Sequence, residues 1–370
     1  MRVIHLTTVH GAFDDRIFFK QCRSLVAAGH EVIEVAPVEK ELSEDGVRIV
    51  AVNVPQSRLL RATLGAWRAY RLVRSLRPDL VHFHDPELLF VGLRLKRKGI
   101  LVVYDMHELV HRQILDKSWL GPLWFRRMMA GIYDHFERKA VRRFDAIVLA
   151  ESRYTDEMLP RHPAFRDKFT VLRNFPVLAV IDQRRAPVQR SAEFTVIYVG
   201  GLSEARGIRT LIEAVGRLEG VRLSLLGAWS SDAFRRECEA LAAYRHVDYK
   251  GLLRMDEVYE HIRAADLGAC VLHPLPNYIG TEPIKTYEYL ACGLPLLLSD
   301  FPHWKDRFGP WAWFVDPMDV EAVAQAIRAA MADPGKRKSM AASGRKTVEE
   351  ERCWEREAER LIDLYRRLAR

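Results

Sequence analysis

Little in this 370-residue sequence departs from a soluble globular composition, and each shortage excludes something. The five cysteines (Cys22, Cys238, Cys270, Cys292 and Cys353) are scattered and never form a C-x-x-C pair. That argues against a disulfide framework or a cysteine-based zinc site and for buried free thiols. No apolar run approaches the roughly 18 residues of a membrane-spanning helix. The opening Met1-Arg-Val-Ile-His-Leu-Thr-Thr lacks the longer apolar run and small-residue cleavage site of a signal peptide, so a cytoplasmic location is expected. With 17 prolines and 21 glycines among 49% hydrophobic and 29% charged residues, disorder, collagen and coiled coil are excluded as whole-chain descriptions. The length suits two domains of roughly 100–200 residues each.

Acidic residues are also unevenly placed. Residues 1–189 hold 31 Lys and Arg against 22 Asp and Glu, whereas residues 190–370 hold 26 against 27. The first half therefore carries the excess positive charge and is the expected side for an anionic partner.

Strand and helix patterns alternate, twice. In the first half, strands are expected at Val3–Thr7, Glu31–Ala36, Leu80–His84, Leu101–Tyr104 and Ala146–Ala150, with helices at Asp15–Ala28, Leu59–Leu76 and Trp124–Arg143. The almost continuous apolar character of the strands fits a parallel sheet covered on both faces. After a polar stretch the pattern restarts with strands at Thr195–Val199, Val221–Leu226, Val247–Lys250, Leu267–Leu272 and Leu294–Ser299. Helices are expected between these strands and from Val320 to Arg370. The reading is an α/β chain of two Rossmann-like, doubly wound domains facing one another across a cleft. The expected domains are 1–181 and 193–351, with a linker at 182–192 and a last helix at about 352–370 crossing back.

Several segments carry chemistry. His107-Glu108-Leu109-Val110-His111 formally matches the H-E-x-x-H zinc signature, but it follows a strand at once, where a helix bearing both histidines is not expected. A polar cluster at a strand end is the better reading. His82 fits a hydrogen-bonded core histidine, and His84 is placed to line the cleft. Val199-Gly-Gly-Leu-Ser-Glu-Ala-Arg-Gly joins a strand to a helix through glycines with Arg206 at its mouth, the arrangement that lets backbone approach a phosphate. In Gly280-Thr-Glu-Pro-Ile-Lys-Thr-Tyr-Glu, polar residues gather at the start of a mostly apolar helix. Lys285 and Glu288 there share one face, as a cation for phosphate and a carboxylate for sugar hydroxyls.

These pieces, in order, resemble the retaining glycosyltransferases of the GT-B fold, family 4 (group 1). The resemblance rests on Asp14-Asp-Arg-Ile-Phe, Pro78-Asp-Leu-Val-His-Phe-His, Tyr104-Asp-Met-His-Glu, Arg173-Asn-Phe-Pro, Val199-Gly-Gly-Leu and Glu288-Tyr-Leu-Ala-Cys-Gly-Leu-Pro. It implies that Gly200, Gly201 and Arg206 hold a donor diphosphate, that Lys285 joins them, and that Glu288 grips ribose hydroxyls. It also implies that His107 reaches the transferred sugar from the N-terminal side. Ile284 and Thr286 complete the expected donor site, and Gly11, Glu108 and Asn174 are expected with His84 along the cleft. Two departures stand out. Gly201 replaces a common second basic contact, and Gly280 falls where the family's first paired glutamate would lie, which suggests Glu282 as a substitute.

The resulting expectation is sugar transfer from a UDP- or GDP-sugar to a glycan or lipid-linked hydroxyl, in cell-surface polysaccharide or glycoconjugate synthesis. No cofactor or metal is expected, because fixed cations can neutralise the leaving diphosphate. A nucleotide-sugar 2-epimerase of the same fold and a nucleic-acid-binding protein are the alternatives, the latter prompted by a pI near 9.2 but lacking a recognised nucleic-acid motif. Six arginines and no acid between Arg58 and Arg77, and Trp119-Leu-Gly-Pro-Leu-Trp-Phe-Arg126-Arg127, point to peripheral contact with an anionic membrane.

Overall fold

The computed structural model describes residues 1–183 and 189–370; residues 184–188, within the expected 182–192 linker, lie outside the described residues. The chain forms two compact units, Met1–Asn174 with Trp354–Arg370, and Phe175–Cys353. The division thus falls ahead of the polar 182–192 stretch. Phe175 and Ile181 explain this, because both are buried in the core of the second unit.

The first unit is built on β1 (Arg2–Leu6), β2 (Glu31–Ala36), β3 (Leu42–Glu44), β4 (Val47–Ala51), β5 (Leu80–Phe83), β6 (Leu101–Met106), β7 (Ala146–Leu149) and β8 (Phe169–Val171). Their order in the sheet is β3-β4-β2-β1-β5-β6-β7-β8, parallel except for the β3–β4 pair. Asp45 and Gly46 close that hairpin with positive φ at both positions, as a two-residue turn of that kind requires. The winding reverses between β1 and β5, so the carboxyl ends of β1, β5 and β6 open onto one crevice. Apolar residues from one face of the sheet, Val81, Phe83 and Tyr104 among them, form the core with Phe144, while the other face carries the buried His5, His82 and Asp105. The helix Leu89–Lys96 lies so close that a Cβ at Gly92 would come within 2.7 Å of Phe83 and 2.9 Å of Phe144.

The helix Trp354–Leu368 belongs to this unit. Trp354 Nε1 donates to Ser24 Oγ at 2.9 Å, and the Tyr365 hydroxyl lies 2.8 Å from His82 Nδ1.

The second unit has six parallel strands: β9 (Phe194–Val199), β10 (Val221–Leu226), β11 (Val247–Gly251), β12 (Leu267–Cys270), β13 (Leu296–Ser299) and β14 (Ala312–Val315). Their order is β11-β10-β9-β12-β13-β14, with the reversal between β9 and β12. Alternation along the strands feeds two cores. Val196, Tyr198 and Leu297 pack on one face, and Ile197, Leu296 and Leu298 on the other. The helix Ile284–Ala291 sits directly on β12, where a Cβ at Gly268 would come within 2.4 Å of the Tyr289 ring. From that ring the hydroxyl accepts a 2.9 Å hydrogen bond from the Val199 N–H, tying the helix to the end of β9.

Candidate functional site

Each unit carries its own polar site at the sheet's reversal point. In the second unit, β9 ends and the chain turns through Gly200, whose φ of +128° lies in the region that favours glycine. A Cβ there would stand 2.7 Å from Lys285 Nζ and 3.3 Å from Arg206 Nη1, and one at Gly201 would stand 3.4 Å from Arg206 Nη1. The two glycines therefore form a floor, and the two cations lie over it. Arg206 comes from the turn Glu204–Arg206 ahead of the helix Ile208–Val215, and Lys285 is the second residue of the helix Ile284–Ala291.

Neither cation has a carboxylate partner among the described residues. Lys285 Nζ is buried without a hydrogen-bond acceptor and rests 3.9 Å from the centroid of the Tyr198 ring. Arg206 is held by the hydroxyls of Tyr198 and Tyr278, and its charge is reinforced although burial opposes it. A buried ammonium and a half-buried guanidinium above glycine backbone form an anion-type site, since each gains from a charge-assisted bond to an incoming anion.

The other expected donor residues are close by in sequence and differ in use. Glu288 Oε1 lies 3.4 Å from the Tyr259 hydroxyl. Thr286 is buried, and its hydroxyl donates to the Pro283 carbonyl at 2.7 Å; Ile284 opens the helix and is half-buried. Glu282, suggested as the substitute acid, already accepts from Arg307 Nε at 3.1 Å and from the Tyr287 hydroxyl, with His303 Nε2 at 3.3 Å. Arg307 lies 25 residues away, which is why sequence spacing gave no hint of this clamp.

In the first unit the carboxyl ends of β1, β5 and β6 enclose a cavity of about 380 Å³, lined by His10, Arg58, Arg61, His84, His107 and Glu108 among others. Beneath it lies Asp105, fully buried. Arg16 grips its carboxylate with Nε at 3.0 Å and Nη2 at 2.9 Å, and Gln21 Nε2 donates at 2.6 Å. Nδ1 of His84 and Nε2 of His107 each lie 3.4 Å from Oδ2. Burial alone would raise the pKa of this carboxyl; Arg16 first, then His107 and His84, hold it well below the ordinary range.

Burial has the opposite effect on the imidazoles behind it. His84 is pushed down to about 3, and His5 and His82 also fall well below the usual value, so all three are neutral at ordinary pH. His82 is the buried, hydrogen-bonded histidine expected from sequence. His10 is raised, chiefly by its 3.0 Å bond to Asp14, which also caps the following helical turns through the N–H groups of Arg16 and Ile17.

The H-E-x-x-H histidines go separate ways. His107 turns to Asp105, while His111 Nε2 pairs with Glu157. Ligand-type atoms of His82, His84 and Asp105 cluster within 4.8 Å, as do those of His111, Asp134 and Glu137. A guanidinium already supplies positive charge to each group, from Arg16 in the first and from Arg161 on Asp134 in the second. Of the remaining expected residues, Gly11 is exposed in the loop after β1, where its neighbours Val9 and His10 line the cavity. Asn174 accepts from Lys20 Nζ at 2.7 Å, which ties it to that buried lysine. Sequence reasoning missed His10, Arg16, Gln21 and Asp105. Only Arg16 and Asp105 carried a signal, inside the stretches Asp14-Asp-Arg-Ile-Phe and Tyr104-Asp-Met-His-Glu.

Two Rossmann-like units, one with a phosphate-type cradle and one with a polar cavity at the same place in its sheet, define the GT-B architecture. Residues 16–174 match the glycosyl transferase 4-like domain and residues 180–347 match glycosyl transferases group 1, and the chain belongs to the group 1 glycosyltransferases. It is therefore an enzyme of the hexosyltransferase type. Glycogen synthase of Mycobacterium tuberculosis is 24% identical over 391 residues, covering 92% of this chain and 88% of that protein. Sucrose-phosphate synthase from Thermosynechococcus elongatus superposes with a TM-score of 0.76 at 18% identity, covering 100% of this chain and 99% of that one. Anabaena HepE in complex with UDP gives 0.69 at 15% identity, covering 98% and 99%.

Proposed function

We propose that this glycosyltransferase takes its sugar from a UDP- or GDP-sugar and transfers it, with retention at the anomeric carbon, to a hydroxyl of a glycan or lipid-linked acceptor. The carrying observation is the pair Arg206 and Lys285 over the Gly200–Gly201 floor, with no carboxylate partner for either among the described residues. As the glycosidic bond to the diphosphate lengthens, negative charge grows on the departing oxygens and positive charge on the sugar. Preorganised cations stabilise the first without reorganising at the moment of reaction. The departing phosphate oxygen then takes the proton of the acceptor hydroxyl, so no enzymic base is obligatory and fixed cations serve where a metal otherwise would. Glu288 is the proposed ribose contact, and His107, at the cavity of the first unit, the proposed contact of the transferred sugar. The UDP bound to HepE and the glycan substrate implied by the name glycogen synthase support the donor class and a glycan acceptor.

A lipid-linked acceptor is supported by the surface of the first unit. No helix among the described residues is long and apolar enough to cross a membrane. Yet Leu59 is 74% exposed, Trp119 65%, Trp124 67% and Ile132 61%, and the Arg58 guanidinium stacks 5.5 Å from the Trp119 ring. Ala66, Ala69 and Val73 of the helix Ala66–Ser75 are buried and Tyr70 and Leu72 pack against the core, whereas Leu59, Leu60, Leu64 and Trp67 are left exposed. Arg61 is paired with Glu87, but Arg58 and Arg127 have no carboxylate partner among the described residues, and aromatic rings beside such arginines suit the headgroup level of an anionic bilayer, each cation adding about 1 kcal/mol. The reading as a whole is tested by a thermal-shift panel of UDP, GDP, TDP and their sugars on the wild-type protein and on Arg206→Ala and Lys285→Ala. Stabilisation by one nucleotide, lost in both variants, is expected. Equal stabilisation of all three proteins would place the donor elsewhere.

A further inference from the structure

We propose that Asp105 is the positioning residue of His107: its buried carboxylate takes the Nε2–H of that ring and thereby turns the Nδ1 lone pair to the cavity. The inference rests on the reading of His107 as a sugar contact, and it assigns that contact a direction. His107 would accept a hydrogen bond from a sugar hydroxyl through Nδ1.

The tautomers follow from the network. Asp105 is an ionised acceptor with no proton to give, locked by Arg16 on both oxygens and by Gln21. His84 Nδ1 and His107 Nε2 each lie 3.4 Å from Oδ2 and 3.3 Å from one another; the carboxylate is a stronger acceptor than a ring nitrogen, so both N–H groups turn to it. With its Nδ1 protonated, neutral His84 must accept at Nε2, where His5 Nδ1 lies 3.0 Å away and donates. His5 Nε2 is then a bare lone pair, and it is the one ring nitrogen of His5 without a partner. An orphaned acceptor costs less here than an orphaned N–H would, because a buried N–H without a partner is the rarer case. The ring stack of His5, His82 and His84, with centroids 4.7–5.2 Å apart, fills the remaining space so that water does not compete for the carboxylate.

The groups facing His107 are few. Asp105 and His84 lie on its inner side, with Arg16 behind Asp105; the His10 ring stands at 5.4 Å across the cavity, and Glu108 is its neighbour in the chain. The Tyr154 hydroxyl donates to the His107 carbonyl at 3.0 Å and so fixes the backbone from the other side. One side-chain anchor on the imidazole and one on its backbone hold the ring in a single orientation. This is what a hydrogen-bonded histidine needs if its free nitrogen is to address a ligand.

The test is a long-range proton–nitrogen NMR spectrum of the full-length protein labelled with nitrogen-15 at histidine, with His107→Gln used to assign the resonance. The expected result is a neutral His107 protonated at Nε2 in the wild type. Asp105→Asn should reverse or scramble that tautomer, because its amide presents N–H groups to the ring. It should also lower kcat by about 10²-fold or more with the donor KM changed less than threefold, by analogy with other carboxylate–histidine pairs. A wild-type His107 protonated at Nδ1 overturns the proposal, whether or not Asp105→Asn folds. A normal tautomer with full turnover in His107→Gln would instead overturn the functional reading of His107 and leave the positioning role intact.

Discussion

The Lys285 ammonium group sits 3.9 Å from the centroid of the Tyr198 ring and on the side of Gly200 where a side chain would project. Aromatic electron density is the partner that a cation accepts when no anion is present, and it is weaker than a phosphate. A lysine so held is ordered before its ligand arrives.

Removing either cation of the cradle should therefore cost turnover far more than stability. Arg206→Ala and Lys285→Ala are each expected to lose about 2–4 kcal/mol of transition-state stabilisation. Because neither leaves a carboxylate unpaired, their melting temperatures without ligand should stay near the wild-type value. Near wild-type kcat at saturating donor in both variants would sink the assignment.

Glu288→Gln should weaken donor binding, since a neutral amide accepts ribose hydroxyls less well than a carboxylate. Glu282→Ala separates two roles. Loss of its bonds to Arg307 and Tyr287 should destabilise the protein by about 1–3 kcal/mol, read from denaturant unfolding. A further change in discrimination among donor sugars is expected if Glu282 also touches the sugar. Unchanged discrimination would leave it as a clamp alone.

Glu34 gives the stability a pH dependence of opposite sign to that of most carboxylates. It is fully buried on β2 with neither oxygen partnered among the described residues. Burial, with Asp14 adding, raises it from 4.5 to about 8. The folded state thus keeps a proton that the unfolded chain releases, and this contribution to stability falls as pH rises between those values. Glu34→Gln should match the wild type at about pH 4–5 and exceed it at about pH 8–9 in urea midpoint. Parallel curves for the two proteins would contradict the assignment.

Purified protein should carry no stoichiometric zinc, and EDTA should leave transfer intact, because His107 and His111 bind different partners. One tightly held zinc per chain, with activity lost on chelation and restored by the metal, would reverse this.

Co-sedimentation with anionic liposomes should be strong at low salt and fall as salt screens the arginines. Trp124→Ala combined with Arg126→Ala and Arg127→Ala should reduce it. Binding that ignores these changes would favour a water-soluble acceptor.

The strands with both faces covered were plain in the sequence, because apolar residues occupy nearly every position of β5, β7, β9 and β13. Edge strands were not: β3 is exposed throughout, β8 is half-buried throughout, and β14 is half-buried at its two central positions. The anion cradle could be read because glycine and cation are near neighbours at Gly200 and Arg206. The Asp105 network could not, since Arg16 lies 89 residues away and only the order of β1, β5 and β6 brings the groups together. The exposed aromatic surface was visible as bulky residues too closely spaced for one helical stripe. What the sequence did not show was that Leu59, Leu60 and Leu64 also escape the core.

The helix Trp354–Leu368 imposes an order of events on synthesis. Its tyrosine, Tyr365, is the partner of His82 in the middle of the first sheet, and Glu357 takes the Arg173 backbone N–H. The ribosome makes these residues only after the whole of 175–353, which is one unbroken stretch and can complete its own core while still emerging. The portion synthesised first must therefore wait, with a polar seam on its sheet unsealed, until the last helix is released. During that interval the buried His82 lacks the partner that Tyr365 gives it.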